Sequence, residues 1–173
     1  MSEALLVIDM VNDFVREDGA LKCGDRVDDI IQPIARRLVQ ARQYGQPVIY
    51  LCDSHRADDP EFERYPPHAV EGTEGAQVIE ELAPEDGDYV IRKRGHSGFH
   101  QTELLLALLE SDVTEIELTG VCTNICVMYT AADAVSWGFD VFVRAEQVAA
   151  LDDESHKIGL RQMEEVLGVE VKR

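Results

Sequence analysis

Two apolar rhythms alternate along this chain. Residues 4–8 form an unbroken apolar run that stops at Asp9, the pattern of a parallel strand buried on both faces. Over 27–44 the rhythm becomes helical, with apolar side chains at Ile30, Ile31, Ile34, Leu38, Val39 and Ala41 before Gly45 ends it. A second strand pattern covers 47–51, and a loop rich in Asp, Glu and Pro follows over 53–67. The spacing then predicts a short helix over 76–82, a strand over 89–91, a helix over 102–109 and a strand over 115–118. Behind that fourth strand, Val127, Ala131, Ala134 and Val135 recur at helical spacing. A strand over 139–143, a helix over 154–167 and a strand over 169–171 complete the series. Six strands alternating with helices predict an α/β, doubly wound, mainly parallel six-stranded sheet with helices on both faces. No repeat or linker interrupts the pattern, so 1–173 reads as a single domain.

That architecture predicts where chemistry sits. Open parallel sheets bind ligands beyond the carboxyl ends of their strands. The residues at those ends are Asp9, then Asp53 with His55, then Lys93, and then Cys126. An acid, a metal-binding pair, a base and a thiol would converge along one edge. Taken singly, each has a bland reading: a loop cap for Asp9, a solvated side chain for Lys93 between two arginines, a small core residue for Cys126. Their shared position favours catalysis.

The run Gly120-Val121-Cys122-Thr123-Asn124-Ile125-Cys126 joins the fourth strand to the helix behind it. Thr123 and Asn124 are both good helix-capping residues. A cysteine in the first helical turn is expected to have its pKa lowered by the helix N-terminus. Cys122 lies closer to the strand end, and spacing alone does not choose between the two thiols. The helix dipole acts most effectively on Cys126.

Composition changes the picture in one respect. Sixteen Lys and Arg against thirty-four Asp and Glu give a net charge of −18 over 173 residues, which argues against nucleic acid or an anionic membrane as partner. Lysine occurs only at Lys22, Lys93, Lys157 and Lys172, a poor match to heat adaptation and a better one to work in high salt. Four cysteines at uneven spacing do not make a disulfide framework. No apolar run is long enough to span a bilayer, and Met1-Ser2-Glu3 leads straight into a strand. A cytoplasmic location without a signal peptide is the expectation.

These segments resemble the nicotinamidase and isochorismatase-like cysteine hydrolases, and most closely the nicotinamidase (pyrazinamidase) branch. Residues 4–14 with Gly19-Ala20-Leu21 are similar to the family's first strand and loop. Asp53-Ser54-His55, followed by Tyr65-Pro66-Pro67-His68 and the residues to Ala76, resembles the nicotinamidase metal segment. Lys93-Arg94-Gly95-His96-Ser97-Gly98-Phe99 resembles the lysine segment, and 120–126 the nucleophile segment. All four occur in the family's order across nearly the whole chain.

The resemblance implies a catalytic triad of Asp9, Lys93 and Cys126. It also implies an oxyanion hole from the backbone N–H groups of Cys122 and Cys126, with a cis peptide before Cys122. It places a divalent metal (Zn, Fe or Mn) on Asp53, His55 and His68, with Glu61 as a further ligand in some members, and gives that metal the task of holding a pyridine nitrogen. Phe14, Leu21, Tyr65 and Ile125 match the substrate-binding wall, with Tyr65 standing where many members have Trp. The implied reaction takes a small-molecule amide, nicotinamide, to nicotinate and ammonia for pyridine nucleotide salvage, in a homo-oligomer. A second reading is another cysteine hydrolase of the superfamily, an N-carbamoyl amidase or a ureide hydrolase. A third is a non-catalytic scaffold that kept the fold.

Overall fold

The computed structural model describes residues 2–173. Its six strands are β1 (Ser2–Ile8), β2 (Val48–Asp53), β3 (Tyr89–Lys93), β4 (Val113–Val121), β5 (Asp140–Ala149) and β6 (Glu170–Lys172). They form one sheet in the order β3-β2-β1-β4-β5-β6, with every neighbouring pair parallel. Helix α2 (Val27–Gln43) covers one face. Helices α3 (Leu104–Glu110), α4 (Met128–Ser136) and α5 (Asp153–Glu165) cover the other. Strand order reverses between β1 and β4, and the crevice at that switch point is where a doubly wound sheet accepts a ligand.

The buried positions follow the expected rhythms. Leu5 and Val7 face α2, while Ala4, Leu6 and Ile8 face the other helices. Within α2, Pro33 interrupts the hydrogen-bond ladder, a defect that costs about 3 kcal/mol. Burying Ile30 and Ile34, at about 2 kcal/mol each, offsets it.

Four elements depart from the sequence pattern. A single helical turn, α1 (Asn12–Val15), follows β1 where the apolar run had ended. The helix expected over 76–82 is instead two 3-10 turns, Glu74–Ala76 and Glu80–Leu82. Between them the backbone is held extended: Asn12 N–H donates to Gln77 O, Ile79 N–H donates to Met10 O, and Val78 bridges Val11. Both β4 and β5 run past their apolar cores. In β4 the fully buried Glu117 is neutralised by Arg37 (2.5 Å) and Arg144 (2.9 Å), so a charged residue sits inside a strand. Strand β5 continues through Arg144, Glu146 and Gln147, with a register shift, to reach the site at Ala149.

Candidate active site

Backbone geometry at the switch point brings the strand ends together. Asp9 leaves β1 in the left-handed region (φ 54°), and its N–H donates to Leu51 O in β2 (2.8 Å). Across from it, Gly120 has φ 103°, and a Cβ there would stand 2.0 Å from Ile8 O. Only glycine lets β4 approach β1 this closely. The Val121–Cys122 peptide that follows is cis, as the resemblance implied.

Asp9, Lys93 and Cys126 meet in the interior. Lys93 is the last residue of β3, and its ammonium is 2.8 Å from Asp9 Oδ2, donates to Asp53 Oδ1, and lies 3.6 Å from Cys126 Sγ. The solvated lysine of the bland reading is thus wholly buried. Asp9 Oδ1 accepts from Asp53 N–H at 2.8 Å. Its Oδ2 lies 2.8 Å from the Lys93 ammonium as an ion pair, and the same carboxyl faces the Cys126 thiol, so one acid stands beside both the cation and the thiol.

The electrostatics follow from burial. Burial, reinforced by Asp53 and opposed by Lys93, raises the Asp9 carboxyl to about 6. Burial works against the Lys93 ammonium, but Asp53, Asp9 and Cys126 outweigh it and hold its pKa above the ordinary range. Burial pushes the Cys126 thiol up, with Lys93 pulling the other way and Asp9 adding to the rise. This corrects the expectation of a thiol lowered by a helix N-terminus. Cys126 does not sit in an α-helical first turn either: Thr123–Val127 is a wider, π-type turn that precedes α4. Nor does Thr123 or Asn124 cap that turn, and the Thr123 hydroxyl is bonded to His156 instead.

Beside this trio lies a second cluster. One ligand atom from each of Asp53, His55 and His68 falls within 4.8 Å of the others, and all three residues are buried. The donor set suits a divalent metal. His55 Nδ1 is bonded to Asp59 Oδ2 (3.2 Å) and His68 Nδ1 to Pro66 O (2.8 Å), which fixes each ring with Nε2 inward. His55 Nε2 is buried with no hydrogen-bond partner among the described residues, an orphan that a metal would satisfy. Glu61 belongs to a separate grouping with His55 and Asp59, on the 3-10 turn Pro60–Glu63. Ala69, at φ 43°, directs the adjacent His68; its N–H donates to Asp13 Oδ2 (2.7 Å) and its carbonyl accepts from His55 N–H (2.9 Å).

A cavity of about 100 Å³ joins the two clusters, and Phe14, Leu21, Glu61, Tyr65, Ile125 and Cys126 all contribute to its wall. Drug-sized ligands need ~300–1,000 Å³, so this cavity excludes them. The space is on the scale of one small molecule. Sequence reasoning missed Cys23, His96 and Leu151 on the same wall. It also missed Phe62, whose ring centroid is 5.6 Å from those of both His55 and His68. Leu151 was open to discovery, since it follows β5 at the sheet's carboxyl edge. Cys23 carries no such signal, because an irregular loop delivers it.

Known proteins share this fold. Residues 3–171 match the Isochorismatase domain. A nicotinamidase/pyrazinamidase, PncA from Bacillus subtilis, is 35% identical with a TM-score of 0.95, covering 100% of each chain. An N-carbamoylsarcosine amidase from Thermoplasma acidophilum is 36% identical with a TM-score of 0.90, over 100% of this chain and 96% of that one. A pyrazinamidase of Pyrococcus horikoshii, solved in complex with zinc, is 27% identical with a TM-score of 0.93, over 100% and 99%. With its parallel sheet, its switch-point cluster and a match over nearly its full length, this chain belongs to the isochorismatase-like hydrolase family.

Proposed function

We propose that this hydrolase is a nicotinamidase, converting nicotinamide and water to nicotinate and ammonia through a thioester on Cys126. The observation that carries the reading is the placement of Asp9, Lys93 and Cys126 next to the Asp53, His55 and His68 donor set around one small cavity.

At rest the buried thiol is protonated. Asp9, with a pKa of about 6, is ionised at neutral pH and its carboxylate accepts the thiol proton. Lys93 stabilises the thiolate that results. Sulfur attacks the amide carbon, and the backbone N–H groups of Cys122 and Cys126 hold the oxyanion, at roughly 3 kcal/mol for one donor. Collapse returns the proton from Asp9 to nitrogen, and ammonia leaves. Asp9 then takes a proton from water, whose oxygen attacks the thioester to release nicotinate and regenerate the thiol. Asp53, His55 and His68 would hold a divalent metal ion (Zn²⁺, Fe²⁺ or Mn²⁺), which would supply Lewis-acid chemistry toward the pyridine nitrogen. Phe14 and Tyr65 grip the ring faces, and Leu21 and Ile125 close the wall.

Ammonia release from nicotinamide and pyrazinamide, with metal analysis of the same sample, tests this directly. The likeness to an N-carbamoylsarcosine amidase supports a second reading, hydrolysis of an N-carbamoyl amine. Turnover of N-carbamoylsarcosine without turnover of nicotinamide would replace the first reading with the second.

A further inference from the structure

Helix α5 lies directly against the turn that carries Cys126. His156 Nδ1 is hydrogen-bonded to the Thr123 hydroxyl at 2.9 Å, and Thr123 is fully buried. Three residues on, and so on the same face of α5, Gly159 meets Asn124: a Cβ there would stand 2.9 Å from both Asn124 Cα and Asn124 N. Glycine is a poor residue for a helix interior, and this close approach to the turn's backbone explains its presence. Thr123 and Asn124 lie between Cys122 and Cys126, the two residues whose amides and thiol the proposed reaction uses.

Among the described residues no other side chain bonds Thr123; elsewhere in the turn the Cys122 carbonyl accepts from Ile125 and Val127 N–H, and Cys122 Sγ lies 2.9 Å from Cys23 Sγ. No side chain caps the turn among the described residues, and Asn124 Oδ1 is itself buried without a partner. Helix α5, by contrast, is anchored outside the site. Asp152 caps it by accepting from Ser155 N–H (2.7 Å), and Asp153 pairs with Arg26 (2.9 Å). Burial, with Arg26 nearby, holds the His156 imidazole below its ordinary range, so the ring is neutral at neutral pH. A neutral ring on an anchored helix makes a stable tether.

We propose that His156 is a positioning residue: through the Thr123 hydroxyl it sets the aim of the Cys126 thiol and of the Cys122 and Cys126 amides. It does not line the cavity at Cys126. The inference rests on the reading of Cys126 as nucleophile and is independent of which amide is hydrolysed. Misplacing reacting groups by 1 Å can cost about 100-fold in rate. Losing one tether while Gly159 still backs the turn should cost about tenfold.

Four variants test it: Thr123→Val, His156→Ala, their combination, and His156→Asn, whose amide can play either hydrogen-bonding role. Two readouts are needed, kcat and KM for ammonia release by the metal-loaded enzyme, and the rate of Cys126 alkylation by iodoacetamide, located by peptide mass. Each single variant should lose about tenfold in kcat with KM within about twofold. Cys126 alkylation should slow as well, the double variant should be no worse than either single one, and His156→Asn should recover most of the loss. Wild-type kcat and alkylation in both single variants would overturn the proposal. So would a joint change of kcat and KM with loss of metal, which would make the bond ordinary packing. If wild-type protein left nicotinamide untouched, the substrate reading would fall and the alkylation series alone would decide. Alkylation of another cysteine in place of Cys126 would remove the nucleophile and the proposal with it.

Discussion

Replacing Lys93 by methionine keeps the stem and deletes the charge. In the folded protein that charge sits 2.8 Å from Asp9 and donates to Asp53, with the side chains of Lys93 and Asp9 both 0% exposed. Water cannot take over its role. Removing one partner of a buried ion pair typically destabilises by about 3–5 kcal/mol, because the charge left behind is uncompensated. Here two carboxylates are left facing each other, so the upper part of that range applies. For a chain of this size each kcal/mol moves the melting midpoint by roughly 2–4 °C, so about 4–5 kcal/mol gives a fall of about 8–20 °C. The measurement is thermal unfolding at neutral pH with a chelator present, so that a bound cation does not replace the lysine. Adding Asp9→Asn to Lys93→Met should recover part of the loss, with a coupling of about 1–3 kcal/mol. A Lys93→Met midpoint at or above wild type, or strict additivity in the pair, would show that this ammonium does not hold the two carboxylates together.

The two thiols of the turn should separate cleanly: Cys126→Ala should abolish ammonia release, Cys122→Ala should retain most of it, and a nicotinaldehyde trap should label Cys126 alone by peptide mass. Modification of Cys122 with loss of activity would reverse the assignment. His55→Ala and His68→Ala should each lower bound divalent metal, measured by elemental analysis, and raise KM while Cys126 still reacts with iodoacetamide; hydrolysis unaffected by metal removal would sink the ring-binding role. At a net charge of −18 the fold should gain stability as KCl rises from low to molar concentration, because repulsion is then screened. A flat melting profile across that series would leave the composition as simple acidity.

How far the chain could be read depended on how local each determinant is. Periodicity is local, so the alternation of strands and helices, and the arrival of Asp9, Asp53, Lys93 and Cys126 at one edge of a parallel sheet, followed from the apolar pattern and the rule for strand ends. Short polar interruptions were misleading for the same reason. Arg144 ends the apolar run of the fifth strand, yet the strand continues because Arg144 pairs with the buried Glu117, which Arg37, eighty positions away, also neutralises. The segment over 76–82 looks helical until loop contacts to Met10 and Asn12 extend it.

Residue identities at the strand ends supplied the donor types, but their protonation states came from desolvation. A helix N-terminus alone would lower the Cys126 thiol, and complete burial beside two carboxylates raises it instead. Asp9 presents Oδ2 to Lys93 because Asp53 N–H takes the other oxygen from the neighbouring strand. His156 reaches Thr123 only because β5 and α5 return the chain to the switch point. Sequence patterns record which groups a chain carries and its preferred local geometry. Solvent exclusion and partners distant in the chain, which exist only once the sheet has closed around the site, decide what those groups do.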